Sequence, residues 1–324
     1  MTAEVKKLSV APTAPKSKSL VVIYFNRTAS STDSMLRKTL VVLMCLAFLP
    51  TPGQAQTNSF LRFVPGASPW QGELQTSITR YQNQQGQQVE LIAAVHIADP
   101  AYYETLNSHF ESLDLLLYEL VADDEDWQQA QGLNGGAREN QSLLGTLQSM
   151  IGRFLELEFQ LQAIDYGREH YFRADLSATE LATIMQSKDE SFFSMFMTMA
   201  MAQMAAEQNA LANGGLEPSA FTMMSLLTAL SSDNQSQALK YLIARELGRS
   251  GDLALSPTVE SRITILGDRN KVALAALKSA LAAGEQRSGL FYGAAHMPGL
   301  ERELLQTMGF SIVSRTWLTA WNIP

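Results

Sequence analysis

Residues 88–100 read Gln88-Val89-Glu90-Leu91-Ile92-Ala93-Ala94-Val95-His96-Ile97-Ala98-Asp99-Pro100, and residues 113–121 read Leu113-Asp114-Leu115-Leu116-Leu117-Tyr118-Glu119-Leu120-Val121. The first stretch becomes continuously apolar at Leu91–Val95, the pattern of a strand covered on both faces and therefore central in its sheet. Asp99-Pro100 is a helix start, with Asp at the N-cap and Pro in the first turn. Tyr103, Leu106 and Phe110 then recur on one helical face. Leu113–Val121 reads as a second buried strand. A strand, a helix and a strand joined this tightly form a βαβ unit, so the two strands should run parallel and lie side by side. His96 and Glu119 then both fall at carboxyl ends of parallel strands, the edge at which open α/β sheets bind ligands.

Working outward, Thr76–Gln82 alternates and Asn83-Gln84-Gln85-Gly86 supplies a turn into the first buried strand, so residues 75–95 predict a β-hairpin. Residues 123–149 are polar and carry Gly132, Gly135 and Gly136, a loop or insertion, and residues 148–165 read as helical. From about 177 to 250 the chain predicts a largely helical insertion holding seven Met between 195 and 224. An Ala/Leu-rich helix over 270–283, a strand over 288–292, a helix after Pro298 and strand-like segments from 310 to 321 complete the pattern. The fold class expected is α+β with an α/β-like core: a mixed β-sheet with βαβ units flanked by helices, plus the Met-rich insertion.

The N-terminal part separates from this domain. Met35-Leu36-Arg37-Lys38, an apolar run over 40–49 and the small-residue stretch Gly53-Gln54-Ala55 make a signal peptide over 35–55. The run is too short to span a bilayer comfortably. Residues 1–34 are expected to be an unstructured extension ahead of the true start, and 56–324 one catalytic domain that is periplasmic or secreted. The single cysteine, Cys45, lies in the signal region, so thiolate catalysis, Cys-ligated zinc and a disulfide framework are excluded. Residues 56–324 carry 17 Lys or Arg against 30 Asp or Glu, a net charge of −13 that argues against nucleic acid and anionic lipid as partners.

Ala93-Ala94-Val95-His96-Ile97-Ala98-Asp99-Pro100 and Gly293-Ala294-Ala295-His296-Met297-Pro298 share a layout: an apolar strand ending in small residues, then His, then a Pro-started helix. A His so placed faces a cleft beside a helix N-terminus. Gathered at one point, His96, His296 and Glu119 are a usual ligand set for a catalytic divalent metal with a position left open for water. The plainer alternative satisfies each His locally and leaves Glu119 to cap a neighbouring turn. Arg269 could hold a substrate carboxylate, buttress Glu119 or make a surface salt bridge. Tyr118 and Asp99 could back up the site, although strand packing and N-capping explain them as well. His109 and His170 read as structural or exposed.

Val95-His96-Ile97-Ala98-Asp99-Pro100-Ala101-Tyr102-Tyr103, Tyr118-Glu119-Leu120-Val121, Asp268-Arg269-Asn270 and Gly293-x-x-His296 together resemble the TraB/Tiki/GumN-like superfamily, in order over residues 75–321. The resemblance implies an α+β fold around a β-sheet core, a metal-dependent hydrolase or protease, and an extracytoplasmic setting. By position it carries His96 and His296 onto the two Gly-x-x-His histidines, Glu119 onto the acidic residue and Arg269 onto the Arg-Asn pair. One departure stands out: Ala93 occupies the place where the family usually has Gly. Ala keeps the geometry provided its φ is negative.

Met197, Met201 and Met204 share a helical face, and core packing is their default reading. A deformable apolar groove for a peptide or acyl chain is the alternative. Three functions follow. The first is a hydrolase of peptides or amides using a divalent metal (Mn, Co or Zn) on His96, Glu119 and His296, with Glu119 doubling as general base. The second is a metal-free hydrolase using His as base, as the more distantly similar erythromycin-esterase-like enzymes imply. The third is a protein that sequesters a peptide signal without turnover.

Overall fold

The computed structural model describes residues 60–123, 157–212, 219, 222–251 and 257–324. The chain divides into a unit over residues 1–55 and one over 56–324. The extension over 1–34, the signal peptide over 35–55, nearly all of the polar loop over 123–149 and the start of the helix expected at 148 lie outside the described residues.

The apolar stretches form β1 (Leu61–Pro65), β2 (Gly72–Gln82), β3 (Gln88–Ala94), β4 (Ile97–Ala98), α1 (Pro100–Phe110) and β5 (Leu115–Tyr118). After the gap come β6 (Glu158–Phe159), the single turn α2 (Gln160–Ala163), β7 (Tyr171–Arg173), α3 (Ala178–Ser187), α4 (Phe192–Ala212), α5 (Met223–Leu230), α6 (Gln235–Gly251) and α7 (Pro257–Arg262). The chain ends with α8 (Arg269–Ala283), β8 (Arg287–Gly293), α9 (Met297–Gln306) and β9 (Ser311–Ile323).

Seven strands make one mixed sheet, the α+β architecture expected. In its antiparallel half β2 pairs with β1 over its first residues, with β3 over its last, and with β9 along its length. In its parallel half the order is β3, β8, β5, β7. The strands β3 and β5 do run in one direction, but they are not neighbours. β8, from some 170 residues further along the chain, lies between them, with Ala94 beside Gly293 and Tyr118 beside Phe291. Gly289 is what lets β8 fit, because a Cβ there would come within 2.6 Å of Leu113 and 3.1 Å of Ile92.

Both faces of β3, β8 and β5 are covered, which is why these strands are largely apolar. On one face Tyr102, Tyr103, Leu106 and Phe110 of α1 pack on Ile92, Leu116 and Phe291. On the other Ala273 and Leu277 of α8 and Leu300 and Leu304 of α9 pack on Leu91, Leu117, Leu290 and Tyr292. Each large apolar side chain so buried contributes about 1.5–3 kcal/mol. The helical insertion packs on the rest of the domain through several contacts. Tyr241 of α6 meets Phe63 of β1 edge to face at 5.1 Å, and Met185 and Met195 join Leu181 and Ile263 in a separate cluster.

Three local expectations need correcting. Asp99 sits at the N-cap of α1 but makes no capping hydrogen bond. Its carboxylate instead accepts from Lys240 Nζ at 2.7 Å and from the Asn322 backbone, tying α1 to α6 and β9. Residues 158–159 are not helical, because they pair antiparallel with Ile97–Ala98 just after His96. Finally, Met197, Met201 and Met204 are not core: they are 41%, 65% and 58% exposed. Among the described residues no helix is long and apolar enough to cross a membrane.

Candidate functional site

The carboxyl ends of β3, β8 and β5 converge, and the side chains there meet around Glu119. This residue directly follows β5, and its backbone N–H extends the ladder by donating to the Phe291 carbonyl at 3.0 Å. Its carboxylate is thereby turned toward the end of β8. Oε2 accepts the Gly293 N–H at 2.6 Å, and Oε1 accepts Arg269 Nη2 at 2.8 Å and lies 3.4 Å from His296 Nε2.

His96 completes the group from the far side of Gly293. A Cβ on Gly293 would lie 3.2 Å from Glu119 Oε2 and 3.5 Å from His96 Nε2, so both atoms border the space that the missing side chain leaves. Gly293 has an ordinary negative φ of −52°; what it supplies here is room, not an unusual backbone angle. Ala93, in the corresponding place of the first motif, is not among the positive-φ residues and packs against the α8–α9 face, so Ala serves there.

The two histidines are not equivalent. His296 is 3% exposed at the N-cap of α9, whereas His96 is exposed, held between β3 and β4 and three residues before Asp99, the N-cap of α1. Each ring nevertheless has its Nδ1 against a side-chain amide oxygen: Gln160 Oε1 at 3.1 Å for His96 and Asn270 Oδ1 at 2.7 Å for His296. Gln160 also donates its backbone N–H to the His96 carbonyl at 2.9 Å and its side-chain amide to the Tyr166 hydroxyl at 2.9 Å. Asn270 donates to Glu260 Oε1 at 3.1 Å and to the His296 carbonyl at 3.3 Å.

Arg269 and Asn270 reach the site because α8 begins immediately after a π-helical turn over Thr264–Asp268. Such turns shift the phase of a helix and recur at functional sites. Arg269 is buried and bidentate on Asp175, through Nε at 2.9 Å and Nη2 at 2.5 Å, while the same Nη2 reaches Glu119. Burial alone would raise the Glu119 carboxyl pKa. The His296 contact and the charges of His296, Arg269 and His96 hold it far below the usual carboxylate range instead. Burial would likewise lower the Arg269 guanidinium, and the Asp175 hydrogen bond with the Glu119 and Asp175 charges raises it further still.

All four residues singled out in the sequence, His96, Glu119, Arg269 and His296, therefore meet at one edge. Of the roles open to Arg269, the contact described is the one with Glu119. Asp175, Gln160 and Glu260 were not legible beforehand; Asn270 was visible only as the neighbour of Arg269. Tyr118 packs against Tyr166 with the rings tilted and their centroids 4.7 Å apart. His109 and His170 are structural: their Nε2 atoms meet Glu90 Oε2 at 2.5 Å and the Phe110 carbonyl at 3.4 Å.

No protein-family model and no curated protein matches the chain. The resemblance to the TraB/Tiki/GumN-like superfamily rests on the motifs themselves.

Proposed function

We propose that the chain is an extracytoplasmic hydrolase acting on the carbonyl of a peptide or other amide, with His96, His296 and Glu119 as its reacting centre. The observation that carries this reading is the convergence on Glu119 of Arg269, the Gly293 N–H and His296, with His96 Nε2 across the same glycine. The motifs shared with TraB/Tiki/GumN-like proteins support it, and the signal-like stretch over 35–55 supports the compartment.

The charges of the cluster suit a cation. Glu119 and Asp175 are two buried carboxylates sharing one guanidinium, an excess of negative charge beside two imidazoles. Buried charge of this kind calls for a partner. His96, His296 and Glu119 would hold a divalent ion such as Mn, Co or Zn, and their N, N, O donor set fits. When bound, such an ion supplies an acidified water and polarises the substrate carbonyl. Glu119, whose two oxygens already accept from the Gly293 N–H and Arg269 Nη2, serves in this reading chiefly as a fixed negative charge. Arg269, already engaged by Asp175, orients Glu119 and leaves the substrate to other groups.

A second reading keeps the hydrolase and omits the ion. It is favoured by the partners already on both Glu119 oxygens, and by the finding that no three His, Cys, Asp or Glu among the described residues form a ready-made metal cage. Exposed His96 then takes the proton of the attacking water through Nε2.

Metal analysis of the purified protein beside His96→Ala and His296→Ala, with a pooled fluorogenic peptide library as substrate, tests both. Stoichiometric metal and hydrolysis, both lost in each variant, support the first reading. Hydrolysis without metal that still needs His96 supports the second. Saturable peptide binding with no turnover under Mn, Co or Zn overturns both in favour of a sequestering protein.

A further inference from the structure

Behind His296 stands a hydrogen-bonded relay that the reaction scheme above does not use. Glu260, on α7, is 4% exposed, and its Oε1 accepts Asn270 Nδ2 while Oε2 accepts Arg302 Nη2 at 2.8 Å. The carboxylate lies against the first turn of α9 so closely that a Cβ on Gly299 would stand 1.6 Å from Glu260 Oε1. A buried carboxylate packed against a glycine in this way has one place for its oxygens.

The consequence runs through the amide. Both groups that Asn270 Nδ2 meets, the Glu260 carboxylate and the His296 carbonyl, can only accept, so the amide cannot turn over without setting its oxygen against two others. Asn270 Oδ1 must then face the ring, and an acceptor 2.7 Å from His296 Nδ1 requires that nitrogen to carry the proton. When the ring is neutral this leaves a bare Nε2, 3.4 Å from Glu119 Oε1, and against that carboxylate the lone pair is matched only by a second proton or by a cation between the two.

We propose that Glu260 is a positioning residue of the site: acting through Asn270, it locks His296 in the Nδ1–H tautomer, so that the Nε2 lone pair faces the reacting centre. This deepens the hydrolase reading and takes its chemical meaning from it. An imidazole in the other tautomer would present an N–H to Glu119 and could neither ligate an ion nor accept a proton at that atom. Glu260 lies outside all the motifs singled out in the sequence and touches neither His96 nor Glu119 in any described contact.

The test is the ring tautomer, read from long-range ¹H–¹⁵N correlations of ¹⁵N-histidine-labelled protein at about pH 9, well above the ordinary imidazole range. Only four His have to be told apart. In the wild-type protein the His296 signal should show a protonated Nδ1 and an unprotonated Nε2. Glu260→Gln frees the amide to turn and should shift His296 toward the Nε2–H form, with His96 unchanged as internal reference. Glu260→Asp keeps an acceptor-only carboxylate for Asn270 Nδ2 and should hold the His296 signal closer to the wild-type form than Glu260→Gln does. Where a substrate is turned over, Glu260→Gln should lower kcat about 10- to 100-fold and Glu260→Asp should lower it less. A wild-type His296 carrying its proton on Nε2 overturns the proposal without any variant. So does a Glu260→Gln protein whose His296 signal does not move. Because the tautomer is read without substrate, an inactive protein with a locked His296 would overturn the hydrolase reading and leave this one standing.

Discussion

Gly293 donates its backbone N–H to Glu119 Oε2 at 2.6 Å, and the space above its Cα is bordered by that same oxygen and by His96 Nε2. One residue thus fixes the carboxylate by what it donates and admits the imidazole by what it lacks. Gly293→Ala puts a methyl group 3.2 Å from the oxygen, close enough to displace it by a few tenths of an ångström, and in ordinary contact with the nitrogen at 3.5 Å. The backbone there has negative φ, so the fold should tolerate the change, with a loss of about 1–3 kcal/mol at most. Hydrolysis should fall far more, about 10- to 100-fold, since small misplacements of reacting groups are costly. Thermal melting and a rate assay on the same sample check both halves.

The buried bridge Asp175–Arg269–Glu119 gives a stability prediction. Arg269→Met leaves two carboxylates buried without their cation, and should cost about 3–5 kcal/mol in urea unfolding. Arg269→Lys keeps the charge but cannot span Asp175 through Nε and Nη2 together, so an intermediate loss is expected. If Arg269→Met unfolds at the wild-type urea midpoint, the bridge does not hold Glu119 in place.

The contrast between these residues explains how much could be read beforehand. The run from Leu91 through His96 to Glu119 was legible because periodicity, a Pro-started helix and parallel-strand geometry are local signals. The insertion of β8 between β3 and β5 was not, since nothing in either strand encodes which neighbour it takes. Gly289 explains the fit only once Leu113 and Ile92 are known to flank it. Asp175, Gln160 and Glu260 are single polar residues far apart in the chain, and a lone carboxylate or amide reads as surface until a buried partner is found. Asp99 shows the opposite error: a good local cap signal was overridden by Lys240, 141 residues away.

Glu90 offers a prediction for acid. Its side chain is buried between Arg80 on β2 and His109 on α1, at 2.7 and 2.5 Å. Burial pushes its pKa up, but the hydrogen bonds from His109 and Arg80 and their charges bring it below the ordinary carboxylate value. A carboxyl whose folded pKa is depressed contributes stability that is complete above its unfolded pKa and lost as the pH falls through the folded one. Glu90→Gln should therefore cost about 1.5–3 kcal/mol at neutral pH, the worth of hydrogen bonds to a charged group. The gap between variant and wild type should close as the pH drops below the ordinary carboxylate range. Melting curves of both proteins from neutral pH downward show whether the two converge.

The methionines of the helical insertion divide by exposure, although their spacing alone suggested a common fate. Met195 is buried with Leu181, Met185 and Ile263, so Met195→Ala should cost about 2–5 kcal/mol. Met201 and Met204 on α4 and Met223 and Met224 on α5 are 58–73% exposed. Replacing Met201 and Met204 by Gln should change stability by no more than about 0.5 kcal/mol each, as for other surface sites. Oxidation gives an independent reading, because sulfoxide formation follows access to the sulfur. Under limiting hydrogen peroxide, peptide mass spectrometry should find Met201, Met204, Met223 and Met224 oxidised before Met185, Met195 and Met297. Oxidation of Met201 and Met204 no faster than that of Met195, or a large stability loss in the Gln variants, would mean that this face is covered in solution and that the spacing had rightly indicated core.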